Sequence, residues 1–343
     1  MPKIRAGIIN VTGYIGAELA RLLCRHPQVK LVTVTGRSAA GQKLSDIFPS
    51  LAGTDYTIKP ELDSKIDIAF SAMPHKSSVD IVPSLLKQGI RVVDASADFR
   101  LKNADEYPKW YDFTHPSPRL LKEAAFGLPE LHHEEIASAS LVANPGCYST
   151  SAILALAPIV KEGLIRPDIV VDSKSGISGA GRALSLTTHY SEVNEDICAY
   201  SVEGHRHLPE IEQELKALDP SLSPAITFVP HLVPMTRGIL TTCYVKLAGR
   251  RRLTVSSLTQ IYREFYKHAP FVQITTQSPH TKYVWGTNFC LIYPTIDSRT
   301  GRLIVISCLD NLVKGGAGQA VQNMNLMFDL PETTGLEALA IYP

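Results

Sequence analysis

The sequence predicts an α/β protein in which a doubly wound parallel sheet is followed by an α+β domain with a largely antiparallel sheet. In the first part of the chain, short apolar strands alternate with helical stretches, which is typical of a parallel sheet covered by helices on both faces. After Asn144 the apolar runs become longer and richer in β-branched residues, which indicates an antiparallel sheet. With 343 residues, the chain is long enough for two hydrophobic cores.

The first part reads as strand, turn, helix and strand, repeated along the chain. Apolar runs predict strands at Ile4–Ile9, Val29–Thr35, Ile66–Ser71 and Val92–Ala95. The helix after the first strand ends near His26 and has an apolar face made of Ala17, Leu19, Ala20, Leu22 and Leu23. A further helix is predicted over Val79–Lys87.

The second part begins with a predicted helix over Tyr148–Ala157. A strand at Ile169–Ser173 and a stretch rich in Gly and Ser come next. Later β-rich runs predict strands at Ala225–Pro230, Ile239–Leu247, Thr287–Tyr293 and Leu303–Leu309. Apolar spacing predicts a last helix over Gly318–Phe328.

Composition points to a small-molecule partner. There are 34 basic and 33 acidic residues, a net charge of +1, and no basic domain or patch is visible in the sequence. We therefore expect neither nucleic-acid nor membrane-surface binding. The six cysteines form no CxxC pair, and the first residues lack the apolar region of a secretory signal. Because no run of about 18 apolar residues occurs either, we expect a cytoplasmic protein with reduced thiols.

The turn after the first strand has the composition of a dinucleotide-binding turn. It reads N-x-x-G-x-x-G and opens a helix, whose free backbone N–H groups attract a pyrophosphate. Asn stands where such turns usually begin with Gly, and Asn tolerates a left-handed backbone. A βα turn that needs small residues only for packing is the alternative. The residues predicted to bind the cofactor are Asn10, Thr12, Gly13, Tyr14, Ile15 and Gly16.

The end of the second strand predicts which dinucleotide binds. Sites that prefer NAD place Asp or Glu there, where it holds the ribose 2′-hydroxyl. This chain has Arg37 and Ser38 instead, a cation and a hydroxyl suited to a 2′-phosphate. A solvated loop arginine is the alternative interpretation. Together with the preceding turn, the pair predicts a Rossmann-type domain that binds NADP(H).

Cys147 is the predicted nucleophile. It follows a Pro-Gly turn and opens a helix, where backbone N–H groups and the helix dipole favour a thiolate. A thiolate suits an activated acyl group, because the resulting thioester can be reduced by hydride. The other five cysteines are expected to be buried and inert.

Several strings of residues now carry a family resemblance that covers essentially the entire chain. In chain order they are NPGCYST, SGISGAGR, GHRHLPEI, PHLVPMTRGI and DNLVKGGAGQAVQNMN. They resemble the N-acetyl-gamma-glutamyl-phosphate reductase family of arginine biosynthesis, which belongs with the aspartate-semialdehyde dehydrogenases. Asn10 departs from the family pattern, which usually has Gly at that position.

The resemblance implies an activity and a domain organisation. An acyl phosphate and NADPH would give N-acetylglutamate semialdehyde and phosphate through a cysteine thioester. Residues 1–146 would form the NADP-binding domain, completed by a C-terminal helix over residues 314–343. Residues 147–313 would form the catalytic and oligomerisation domain of a homodimer or homotetramer.

The resemblance also assigns site residues. The acid/base histidine falls on His207, which we favour, or on His205. Thioester reduction needs a group that handles a proton, and an imidazole titrates near neutral pH. A pair of surface histidines before a helix is the alternative, and no third ligand is spaced for a metal. The nicotinamide half of the cofactor would lie against Ser178, Gly179, Gly181 and Asn311. The predicted substrate-binding residues are Ser96, Arg100, Asn144, Arg182, Glu210 and Arg237. Arg100 with Ser96 could hold the phosphate, with a salt bridge of Arg100 to Asp98 or elsewhere as the alternative, and Arg182 and Arg237 could pair with the substrate carboxylate.

Other functions remain open on the sequence alone. The same chemistry could act on carrier-bound aminoadipyl phosphate in lysine biosynthesis, or on aspartyl phosphate. A carrier protein would require a basic docking patch, which the sequence does not show. A non-catalytic dinucleotide-binding regulator is a third possibility, and loss of the cysteine or of both histidines would mark it; this chain retains them.

Overall fold

The computed structural model describes residues 2–62, 65–249 and 253–342. Internal contacts divide the chain into two compact units. Unit 1 contains the residues up to Pro145 together with Gly316–Ala338, and unit 2 contains Gly146–Gly315 together with the residues from Leu339 onward. In the part of the chain described, each unit is built around one sheet.

Unit 1 is a parallel sheet with the strand order β2-β1-β3-β4-β6-β5. Its strands are β1 (Ile4–Ile9), β2 (Val29–Val34), β3 (Ile68–Ser71), β4 (Arg91–Asp94), β5 (Ala125–Phe126) and β6 (Leu141–Ala143). Its helices before Pro145 are α1 (Tyr14–Leu23), α2 (Leu44–Ile47), α3 (Ser78–Lys87), α4 (Tyr107–Tyr111), α5 (Pro118–Glu123) and α6 (Pro129–Ser138). The doubly wound parallel sheet predicted from the sequence is therefore confirmed.

Strand order locates the ligand crevice of unit 1. The chain passes from β1 to β2 on one side and then to β3 on the other, so the order of strands reverses beside β1. In open α/β sheets, ligands bind at the carboxyl ends of the strands at such a reversal. β3 is buried along its whole length, and so is β1 from Ala6 to Ile9, as expected of central strands covered by helices on both faces.

Unit 2 is a mixed, largely antiparallel sheet with the order β11-β12-β13-β10-β7-β9-β8. Its strands are β7 (Ile165–Gly176), β8 (Cys198–Ala199), β9 (Ala225–Val233), β10 (Ile239–Leu247), β11 (Val272–Ile274), β12 (Cys290–Asp297) and β13 (Arg302–Leu309). Its helices are α7 (Cys147–Lys161), α8 (Tyr190–Val193), α9 (Leu208–Leu218) and α10 (Val255–Phe265). α7 is buried from Tyr148 to Val160 because it packs between this sheet and the neighbouring helices.

The C-terminal helix is shorter than the 314–343 range predicted from the sequence. A π-helical turn over Val313–Ala317 leads into α11 (Gly318–Met327), which is buried along its length. Beyond Met327 the described chain is irregular. Pro331 lies close behind the helix end, and because proline lacks an N–H, it does not continue a helical hydrogen-bond pattern.

Gly16 provides the first testable prediction. A methyl group on Gly16 would lie 2.5 Å from the carbonyl oxygen of Asn10 and 2.6 Å from Cα of Val11. Since backbone atoms cannot move aside cheaply, we expect Gly16→Ala to lower the free energy of unfolding by about 1–3 kcal/mol, measured by urea denaturation. Gly13→Ala is the matched control, because no described atom lies within 4 Å of its added methyl group. Equal stability of the two variants would contradict the packing argument.

Candidate active site

The turn after β1 has the backbone expected for binding a pyrophosphate. Asn10 has φ 65°, the left-handed conformation that its type tolerates. Its side-chain amide donates a hydrogen bond to the carbonyl of Ala72 at 2.9 Å, which ties the turn to the end of β3. Gly13 is the N-cap of α1 and has no side chain to cap the helix, so the first N–H groups of α1 have no side-chain cap.

A cavity of about 480 Å³ opens beside this turn. It lies where the strand order reverses, and the residues that follow β1, β2 and β3 line it. Among them are Asn10 from the first turn, and Arg37 and Ser38 from the short 3₁₀ turn after β2. The volume is typical of small-molecule sites. The helix N-terminus and the cavity together fit a dinucleotide.

Cys147 is the first residue of α7 and is partly exposed. Gly146 is the N-cap of this helix, so no side chain caps the first backbone N–H groups beside Cys147. Gly315 makes room for the thiol, because a methyl group there would lie 2.8 Å from Cβ of Cys147. The side chain of Cys147 therefore packs against Gly315, where a larger residue would clash with it.

His207 packs directly against the residue before the nucleophile. A methyl group on Gly146 would lie 2.4 Å from Nε2 of His207, so the imidazole occupies the place where any other residue would have a side chain. Glu210 is fully buried in the first turn of α9, and its Oε2 accepts a hydrogen bond from the N–H of Gly146 at 2.9 Å. Pro209 at the start of α9 favours a helix beginning there. The helix start thus places both side chains on the loop of the nucleophile.

His205 lies in a different environment from His207. Its ring is surrounded by the rings of Tyr148, Tyr200 and Phe228, whose centroids lie 5.4–5.6 Å away. Its Nδ1 accepts a hydrogen bond from the N–H of His207 at 3.1 Å. Burial, and next the neighbouring His207, lower the pKa of His205 to about 3. His205 is therefore neutral at physiological pH.

A second group of predicted residues meets at the end of β7. Asn311 is buried, accepts a hydrogen bond from the N–H of Gly238 at 2.8 Å and donates one to the hydroxyl of Ser178 at 2.9 Å. A methyl group on Gly179 would lie 2.9 Å from Oγ of Ser175, whereas Gly181 has φ +87° and open space around it among the described residues. The structure brings Ser178, Gly179 and Asn311 together.

The two arginines predicted to bind a carboxylate differ in their surroundings. Arg237 is partly exposed, and its Nη1 lies 3.3 Å from Oδ2 of Asp310, a buried carboxylate that also accepts from the N–H of Gly286 at 2.8 Å. This pairing fixes the guanidinium while leaving part of it accessible. Arg182 is exposed and lies next to Gly181.

Ser96, Arg100 and Asn144 form a buried network in unit 1. Arg100 donates from Nε to the carbonyl of Asn144 at 2.8 Å and from Nη2 to the carbonyl of Ala95 at 2.9 Å. The Asn144 amide donates to the carbonyl of Gly316 at 3.1 Å. Ser96 donates to Oδ2 of Asp94 at 2.6 Å. The network holds the backbone three residues before the nucleophile.

Sequence reasoning missed two tyrosines beside the histidine pair. Tyr148 donates to the carbonyl of His231 at 3.0 Å, and the hydroxyl of Tyr200 donates to that of Tyr148 at 3.2 Å. Burial raises the pKa of both phenols, that of Tyr200 to about 12. Tyr148 follows Cys147 directly, and this adjacency was the available signal.

The prediction that the other five cysteines are buried is wrong for two of them. Cys243, Cys290 and Cys308 are buried, but Cys24 is only partly buried and Cys198 is exposed. Cys198 lies on the short edge strand β8, which exposes its side chain. Within the described ranges, the structure shows no group of three or more His, Cys, Asp or Glu side chains arranged for a metal ion. The described part of the chain likewise contains no helix long and apolar enough to cross a membrane.

Comparison with known families agrees with this geometry. Residues 5–139 match the family described as "Semialdehyde dehydrogenase, NAD binding domain". Residues 147–311 match "Semialdehyde dehydrogenase, dimerisation domain". Unit 1 thus has a sheet of the NAD-binding type, and unit 2 has a thiol at a helix N-terminus. Together they define the class, a semialdehyde dehydrogenase-like oxidoreductase.

Full-length relatives make the assignment more specific. A protein of Dehalococcoides mccartyi named N-acetyl-gamma-glutamyl-phosphate reductase is 57% identical over 343 residues and covers 100% of both chains. Proteins of the same name from Geobacter sp. and Heliobacterium modesticaldum are 50% and 48% identical, each over 99% of this chain and 100% of theirs. The chain belongs to the N-acetyl-gamma-glutamyl-phosphate reductase family.

Solved structures support the fold. The chain resembles aspartate semialdehyde dehydrogenase II of Vibrio cholerae, complexed with ASA, with a TM-score of 0.73, 17% identity and coverage of 96% of this chain and 99% of the other. The aspartate semialdehyde dehydrogenase of Candida albicans with NADP gives a TM-score of 0.71, also at 17% identity, covering 95% and 98%.

Asp94, in the network around Ser96, provides a prediction of pH dependence. It is fully buried, and burial, with the neighbouring Asp98 acting in the same direction, raises its pKa to about 6. The unfolded value is about 3.9, so the folded state binds the proton more tightly. Stability from this group is therefore present below about pH 4 and is lost as the pH rises through about 6.

We expect Asp94→Asn to flatten the pH dependence of the free energy of unfolding in this window. The wild-type free energy of unfolding should change by about 3 kcal/mol across this window because of Asp94, and the variant should lack this change. One pKa unit corresponds to about 1.4 kcal/mol. Urea denaturation at a series of pH values measures it, with the exposed Asp105→Asn as control. Parallel curves for the wild type and Asp94→Asn would contradict the raised pKa.

Proposed function

We propose that the protein reduces N-acetyl-gamma-glutamyl phosphate to N-acetylglutamate semialdehyde, with release of phosphate, in arginine biosynthesis. One observation carries the chemistry: a partly exposed thiol opens α7, and an imidazole packs against the preceding glycine. The full-length relatives bear the name of this activity and favour the arginine branch over aminoadipyl phosphate.

The thiolate of Cys147 attacks the acyl carbon, and the bond from that carbon to the phosphate oxygen breaks. The helix N-terminus stabilises the thiolate before the attack. When bound, the reduced nicotinamide supplies hydride to the thioester. The adduct that hydride gives carries an oxyanion, which takes a proton to form a thiohemiacetal. Return of that proton to the acid/base group re-forms the carbon–oxygen double bond as the carbon–sulfur bond breaks, so the aldehyde leaves and Cys147 regains its thiolate.

His207 is the proposed acid/base group. Its imidazole lies against Gly146, one residue from the nucleophile. His205 is a poor candidate, because its lowered pKa leaves it without a proton to give near neutral pH. Glu210 supports this arrangement by fixing the N–H of Gly146.

NADP(H) is the proposed cofactor. Arg37 and Ser38 line the cavity beside the glycine turn, where they suit a 2′-phosphate. Ser178, Gly179, Gly181 and Asn311 are proposed for the nicotinamide half. For the substrate, Arg237 and Arg182 are proposed to bind the carboxylate, whereas the buried bonds of Ser96, Arg100 and Asn144 support a role in holding the loop before Cys147.

Assembly as a homodimer or homotetramer is also proposed. The matched dimerisation domain supports it, and so does one face of the second sheet, where Tyr244 pairs with Ile304 and both side chains stay partly exposed. A cytoplasmic location is proposed because all six cysteines are free thiols, which a reducing compartment maintains.

Substitution of the nucleophile and of each histidine tests the mechanism. Phosphate-dependent reduction of NADP with N-acetylglutamate semialdehyde measures the reverse reaction. We expect Cys147→Ser to lose at least about 10³-fold in kcat. His207→Gln should lose about 10²- to 10⁴-fold and His205→Gln less than about tenfold, because only the first carries the proton.

Cys198→Ser is the matched control, because Cys198 is an exposed thiol of the same unit. Near-normal turnover by Cys147→Ser would contradict the covalent route. A larger loss in His205→Gln than in His207→Gln would contradict the assignment of the acid/base role to His207.

Removing the cation tests the cofactor. We expect Arg37→Ala to raise the Kd of NADP about 10- to 100-fold and to change that of NAD by less than about twofold, since a charge-assisted hydrogen bond contributes about 1.5–3 kcal/mol. Isothermal titration calorimetry measures both affinities. Arg119→Ala, which removes an exposed cation elsewhere in unit 1, serves as control. Unchanged NADP affinity in Arg37→Ala would show that the 2′-phosphate binds elsewhere.

A further inference from the structure

Glu61 lies in the wall of the same cavity as Arg37. A short parallel bridge pairs Thr35, at the end of β2, with Lys59. Two backbone hydrogen bonds of 2.9 Å fix it, from the N–H of Gly36 to the carbonyl of Lys59 and from the N–H of Lys59 to the carbonyl of Val34. Arg37 and Glu61 each come two residues after a member of this bridge, and both line the cavity.

Both side chains remain available to a ligand. Neither has an ion-pair partner within 4 Å among the residues that the structure describes. Glu61 is exposed at the rim, and so is Arg37. Pro60, which also lines the cavity, restricts the backbone just before Glu61 because its ring fixes φ.

The two side chains favour different dinucleotides. An acidic residue near the adenosine ribose accepts hydrogen bonds from the ribose hydroxyls, which favours NAD. An arginine there binds the 2′-phosphate, which favours NADP. A phosphomonoester carries about −1.5 to −2 charges at pH 7, so a carboxylate in the same wall repels it. The cavity therefore contains one group for each cofactor.

We propose that Glu61 is a specificity-determining residue that weakens the binding of a 2′-phosphate and supports that of a 2′-hydroxyl, so the preference for NADP is smaller than Arg37 alone would give. The inference rests on the proposed binding of NADP at Arg37. At separations of several ångströms near the protein surface, removing one such repulsion corresponds to about a five- to tenfold change in affinity.

Calorimetric titration of the full-length protein with NADP and with NAD tests this. We expect Glu61→Gln to lower the Kd of NADP about five- to tenfold and to leave the Kd of NAD equal or raise it a few-fold. The gain for NADP should shrink as the salt concentration rises, because the repulsion is screened. Glu61→Ala should show the same sign, which excludes an effect of the introduced amide.

Glu123→Gln is the matched control, because it removes an exposed carboxylate of unit 1 that does not line the cavity. A ratio of NADP to NAD affinity within twofold of wild type in both Glu61 variants would overturn the proposal. Failure of the proposed cofactor site has a different signature, namely Arg37→Ala binding NADP as tightly as wild type does. Circular dichroism spectra that match wild type exclude misfolding as the cause of any change.

Discussion

The arrangement of the candidate site in unit 2 depends on one contact, the packing of the His207 imidazole against Gly146. A methyl group on this glycine would lie 2.4 Å from Nε2, so the ring and any side chain at residue 146 cannot coexist. The same glycine donates its N–H to the buried Glu210. Because Gly146 is also the N-cap of α7, one residue lies both at the helix start and against the imidazole, directly before Cys147. The Pro-Gly turn before the nucleophile thus has a steric cause.

Glycine also stands at the start of a helix in unit 1. Gly13 begins α1 as Gly146 begins α7, and in both helices the first N–H groups remain free of a capping side chain. An anion can therefore approach the backbone directly: a pyrophosphate at α1 and a thiolate at α7. Gly16 has the packing role, because the helix approaches the turn to within van der Waals contact. Asn10 has a left-handed backbone although it is not glycine, and its side-chain amide donates a hydrogen bond to the carbonyl of Ala72 at the end of β3.

Local patterns predicted most of the fold and the main chemical groups. The first strand, the strand Ile239–Leu247 and the helix starts followed from apolar runs and turn residues, which act over a few positions. Features that depend on burial or on distant partners did not. The sequence leaves both His205 and His207 as candidates, whereas the aromatic surroundings of His205 and the contact of His207 with Gly146 are visible only in the structure. The sequence also shows no basic patch, yet Arg166, Lys246 and Arg302 come from three strands to line one cleft with Asp297.

The cofactor site illustrates why such distant partners matter for function. Arg37 and Ser38 are adjacent to a recognisable turn, so a sequence pattern assigns them. Glu61 stands 24 positions after Arg37 in the sequence, and the fold brings both residues to the wall of one cavity. A motif read along the chain therefore reports the attractive group and omits the repulsive one. Since specificity is a difference between two affinities, the role proposed for this carboxylate would enter it as directly as the role proposed for the arginine.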